Sequence, residues 1–145
     1  MTRVPGRTIS HLAGGRRLAN RLEDVDVVER AGQLIGEVGV RLERQLEGER
    51  RPAERARMLR EAMNRITRAT NDALQAYVRT SRGIRAELER PDADVAAAHR
   101  LRTRLDTARA EVLTALEAAR KRYGAPTAPA PSPANPSRAT ASAEQ

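Results

Sequence analysis

Two histidines, His11 and His99, and no cysteine make up the whole supply of side chains that titrate near neutrality or bind a soft metal. Catalysis requires a base, a nucleophile or a metal held at a matched pKa. His11 lies in an arginine-bearing stretch without periodicity. His99 falls on the polar side of a helical repeat beside Thr103 and Asp106, where an imidazole is solvated. Lone histidines without cysteine fall short of a zinc ligand set, and the absence of cysteine removes disulfides, thiolate metal sites and a thiol nucleophile. No Gly-rich phosphate loop, HExxH or GxSxG sequence occurs. The chain therefore reads as non-enzymatic, with no cofactor. The acids Glu23, Asp24, Asp26 and Glu29 have the chemistry of a cation site, but acids at a helix start also stabilise its dipole and Arg30 follows directly, so capping is the stronger reading.

Arginine is the remaining chemistry. The chain has 27 basic residues against 19 acids, and all but Lys121 of the basic set are arginine. Arginine over lysine, with abundant Ala, Gly and Pro, fits GC-rich coding; the excess of base over acid has no such origin and points to a polyanionic partner. The charge is segmented. Residues 1–22 carry +5, residues 23–50 carry −4, residues 51–86 carry +6, residues 87–95 carry −3 and residues 96–123 carry +4. On a helical wheel Arg57, Arg60, Arg68, Arg79 and Arg82 fall opposite an apolar stripe, with Asn64, Asn71 and Gln75 among them and Glu61 and Asp72 the acids on that side. Such a face donates to phosphate oxygens without reading bases. Arg16 and Arg17, from a stretch that also holds Arg3 and Arg7, are the second candidate contact. The chain has no Phe or Trp and two Tyr, so base stacking of the single-strand type is not expected, and no helix-turn-helix pattern is present.

These side chains must be positioned by helices. Residues 1–25 read as a basic arm broken by Pro5, Gly6, Gly14 and Gly15, with a turn of helix around Arg16 to Leu22. Asp26 and Glu29 have the spacing of a capping box, predicting a first helix over 26–48 with Val28, Ala31, Ile35, Val38, Leu42 and Leu46 inward, weakened at Gly36 and Gly39 and stopped by Gly48. Pro52 suits the first turn of a second helix over 52–89, whose stripe is Leu59, Met63, Ile66, Ala69, Ala73, Tyr77 and Ile84 and which Gly83 is expected to bend. A third helix over 92–123 opens at Asp92 or Asp94, carries Ala98, Leu101, Leu105, Ala108, Val112, Ala115 and Ala119, and closes on Arg120, Lys121, Arg122 and Gly124. Residues 124–145, rich in Pro, Ala, Ser and Thr, read as a disordered tail.

The fold expected is all-α: a three-helix bundle or coiled-coil-like hairpin over 26–123. Its thin aliphatic core favours packing against other chains as a homo- or hetero-oligomer. No membrane span or secretory h-region is present, which suggests a cytoplasmic protein. The function expected is binding of a nucleic-acid backbone, DNA or RNA, within a larger nucleoprotein complex. In size, helicity and charge, residues 26–123 resemble the small subunits of multi-subunit CRISPR effector complexes, which implies a place beside a nucleic-acid groove in an antiviral defence assembly; the resemblance is one of class and carries no residue across. Two rival classes use the same elements: a phage or scaffold-type assembly protein self-associating through the Ala-rich seam of the third helix, and a small terminase-like packaging subunit that closes into a ring.

Overall fold

The computed structural model describes residues 15–124. They form α1 (Leu22–Glu47), α2 (Pro52–Leu88) and α3 (Val95–Ala119), preceded by a helical turn over residues 15–19 and followed by a π-helical turn, Arg120–Gly124; the described residues contain no strand. Residues 1–14 of the arm and 125–145 of the tail lie outside the described residues.

Cross-helix bonds fix the direction of each rod. Arg104 of α3 grips Asp26 and Glu29 near the start of α1, and Tyr123 past the end of α3 donates to Glu43 near the end of α1, so α1 and α3 run parallel. The second helix runs against both: Arg79 reaches Asp24, Tyr77 donates to Asp106, and Arg102 donates to the Ser81 hydroxyl. The result is an up-down-up bundle in which every helix packs on the other two.

The core follows the predicted stripes. Val28, Ala31, Ile35, Val38 and Leu42 of α1, Ile66, Ala69, Ala73 and Ile84 of α2, and Ala98, Leu101, Leu105, Ala108, Val112 and Ala119 of α3 are all buried. On α2 the inner face is broader and more finely grained than the stripe read from sequence, because Ala62, Ala76, Thr70 and Thr80 are buried while Tyr77, Leu59 and Met63 sit at its edge. Each threonine hydroxyl donates to the carbonyl one turn back, to Ile66 and Ala76 respectively, so a small polar side chain serves as core. The Ala-rich seam of α3 packs within the bundle, with Ala115 partly buried at its edge.

Several boundaries shift. Leu18 and Val25 are core residues, the latter with no exposed surface, so residues 15–25 belong to the folded body and not to an arm. The first helix starts at Leu22, four residues before the expected cap, with no side-chain cap on its first N–H groups. Asp26 and Glu29 lie inside it, one turn apart on one face, and their spacing serves Arg104 in place of a capping box. Pro52 does open α2, and Asp94, not Asp92, caps α3 by accepting from the Ala97 N–H. Gly48 follows α1 in a right-handed conformation, and the helix end is finished from outside: Arg55 of α2 donates to the carbonyls of Leu46 and Glu49. Gly83 does not end α2. A β-carbon there would lie 2.5 Å from Nε of Arg21, so its bareness makes room for that side chain to cross the helix.

Leu105 is fully buried on α3, in a core without aromatic bulk to collapse into a void. Leu105→Ala is expected to lower unfolding free energy by about 2–5 kcal/mol, read by chemical denaturation with unchanged denaturant slope. A loss under 1 kcal/mol would show that the bundle closes over the gap.

Candidate nucleic-acid interface

The face of α2 turned away from the core carries the arginines picked out by the wheel, and Arg57, Arg60, Arg68, Arg79 and Arg82 are all exposed, as are Asn64, Asn71 and Gln75 between them. They form one row along the outside of α2, and Arg60 and Arg82 are about 33 Å apart along the axis at about 1.5 Å per residue.

Internal ion pairs divide this row. Arg57 donates to Glu54 and, at 2.6 Å, to Glu61, which holds its guanidinium well above its usual pKa and leaves its charge locally neutralised. Arg79 spans to Asp24 of α1 at 3.3 Å and helps set the helix pairing. Arg60, Arg68 and Arg82 have no ion-pair partner among the described residues, and they are the members with charge to offer a ligand. Arg65 and Arg85, exposed and likewise unpaired among the described residues, flank the row. They sit about 80° either side of its centre line, which is why a narrow stripe left them out.

The N-terminal candidates separate completely. Arg16 is exposed. Arg17 turns inward: its Nε and Nη2 hold the two oxygens of Glu87 at 2.6 and 2.8 Å, with Asp92 at 3.4 Å. Glu87 is 3% exposed and also accepts from the Asp94 backbone N–H. A carboxylate removed from water needs this bidentate partner, and Arg17 holds it below the usual carboxylate range. Arg17 therefore ties the N-terminal turn to the α2–α3 connection, with its guanidinium held by Glu87 and Asp92. No local pattern marks it, since its partner is 70 residues away.

The acids expected to cap or to bind a cation are also distributed by the fold. Asp24 takes Arg79, while Asp26 and Glu29 take Arg104, whose hydrogen bonds pull Glu29 below its ordinary pKa. Among the described residues no group of three or more His, Asp or Glu is arranged to hold a metal ion. His99 is exposed on α3, and His11 lies outside the described residues. Both tyrosines are engaged at helix contacts: Tyr77 donates to Asp106 with Arg109 over its ring, and Tyr123 donates to Glu43. No described helix is long and apolar enough to cross a membrane.

No protein-family model, curated protein or solved structure matches this chain.

The Glu87 contacts have a pH consequence. A carboxylate whose pKa is lower folded than unfolded contributes stability fully present above its unfolded value, near 4.5, and lost as pH falls through the folded value. Glu87→Gln keeps the shape and removes the charge. It is expected to lower the melting temperature at pH 7 by about 5–10 °C, and the gap to the unaltered chain should narrow once pH drops below about 4.5. A gap that stays constant from pH 7 to pH 3, measured by thermal denaturation, would mean that the carboxylate is not held as the contacts indicate.

Proposed function

We propose that the chain binds the backbone of a nucleic acid, with little dependence on sequence, as a non-catalytic helical subunit of a larger nucleoprotein assembly. The observation that carries this reading is the outer row of α2, where Arg60, Arg68 and Arg82 keep unpaired charge on a face furnished otherwise with Asn64, Asn71 and Gln75. Eight other described arginines each meet a carboxylate: Arg17, Arg51, Arg57, Arg79, Arg90, Arg102, Arg104 and Arg122. Guanidinium and amide donors in a row match phosphate oxygens along a strand and read no base. With both tyrosines engaged in helix contacts, stacking on bases contributes little, which favours duplex or backbone-tracking contact over a single-strand platform. The small subunits of multi-subunit CRISPR effector complexes, similar in size and charge, are the class of component this reading has in view, in an antiviral and cytoplasmic setting.

Salt dependence is the direct measurement. If the row neutralises phosphates, the logarithm of affinity for a random-sequence duplex falls linearly with the logarithm of salt, by about −0.9 per contact. Arg68→Glu with Arg82→Glu should weaken binding on every sequence alike and flatten that slope by about 1.8, with helix content unchanged. Arg57→Glu should have a smaller effect, since that guanidinium is already held by two acids. Unchanged affinity in the double variant would remove α2 as the interface, and a loss confined to one sequence would replace backbone contact with base reading.

A further inference from the structure

The outer face of α1 carries a charge series that the bundle itself does not use. Glu23, Arg30, Glu37 and Arg44 recur every seven residues and alternate in sign; all are exposed, and none has an ion-pair partner among the described residues. Seven residues fall about 20° short of two full turns, so the four form one slowly drifting column along the helix. Beside it runs a second column at the same interval, Val27, Leu34 and Arg41, in which Val27 and Leu34 are 41% and 40% exposed. These two apolar side chains line an open groove between α1 and α2 with Ala31 and Ala69 at its floor and Asp72 at its rim. Two apolar side chains one heptad apart, flanked by charges that alternate in sign, form a surface that a second helix can cover.

We infer that this face docks a second copy of the same chain, with the two α1 helices antiparallel across a two-fold axis near Leu34. The charge order selects that occupant. Read forward, the column is negative, positive, negative, positive; read backward, it is the complement of itself. An antiparallel copy centred between Gln33 and Leu34 sets Arg30 against the partner's Glu37 and Glu23 against the partner's Arg44, and the symmetry repeats both, giving four opposite-sign pairs. A parallel copy in register sets like charges against each other at all four positions. Leu34 then lies on the partner's Leu34 at the axis, and the aliphatic stem of the partner's Arg41 covers Val27. A two-fold contact of this kind is closed and self-complementary, so it makes a dimer and not a filament. Exposed ion pairs contribute little to affinity and much to register; the seam fixes which way round the copies meet, and the apolar column supplies the contact.

The test uses the full chain, treated with nuclease so that a shared nucleic acid cannot link two copies. Sedimentation equilibrium should give a concentration-dependent mass approaching twice that of one chain. Arg30→Glu alone sets glutamate against the partner's Glu37, and Glu37→Arg alone sets arginine against the partner's Arg30. Each should raise the dissociation constant about tenfold or more while circular dichroism stays unchanged, because both positions face solvent. Mixing the two variants restores opposite signs at both pairs, and the mixture should regain the dimer as a heterodimer. That regain is the signature of antiparallel pairing through this face. A chain that stays at the mass of one copy, a dimer indifferent to both reversals, or a mixture that remains monomeric overturns the inference.

Discussion

A core with no phenylalanine or tryptophan is the constraint from which the architecture follows. Alanine, valine, leucine and isoleucine bury little area each, so the helices must be long and must approach closely, and the positions where they cross are small: Ala73, Ala76 and Ala98 have no exposed surface. Close approach also brings the outer edges of neighbouring helices within reach of long side chains. Arginine fills that role repeatedly, from Arg104 on Asp26 and Glu29 to Arg79 on Asp24 and Arg122 on Glu43. What a larger core would fix by shape is fixed here by charge pairs that set the direction and register of each helix.

This division of labour decides what the sequence discloses. Apolar spacing is a local signal, and it located most of the inner faces: Val28 to Leu42, Ile66 to Ile84, Ala98 to Ala119. The same signal failed wherever a residue's partner is distant. Asp26 and Glu29 are indistinguishable by spacing from a capping box, since the pattern that satisfies a helix start also places two acids on one face for a guanidinium from another helix. Arg17 and Arg16 are neighbours of one type, yet one is half-buried with its guanidinium on Glu87 and the other is exposed, and only the crossing of the N-terminal turn over the α2–α3 connection separates them. Ala62, Ala76, Thr70 and Thr80 give no apolar signal because small residues carry weak hydrophobic weight, although closely spaced helices require them at the contact.

Formal charge is thus a poor guide to available charge. An excess of eight positive charges spread evenly would make a diffuse basic surface; the ion pairs instead silence many arginines and leave others standing in rows. Where a row stays unpaired on one helix face, as with Arg60, Arg68 and Arg82, the field is concentrated along a line. On α1 the unpaired charges alternate and their far field cancels, so that face attracts little beyond a matching surface at contact distance. One chain therefore presents two electrostatic characters, a long-range one on α2 and a short-range one on α1.

An odd number of helices also gives the body a polarity. The turn at residues 15–19 leaves beside Asp94 and Ala97 at the start of α3, whereas Gly124 lies against Met63 near the opposite end. The two points of attachment are separated by about the length of α3, some 37 Å at about 1.5 Å per residue. Gly15 and Gly124, the first and last described residues, therefore lie at opposite ends of the bundle. The bundle thus has a distinct head and tail.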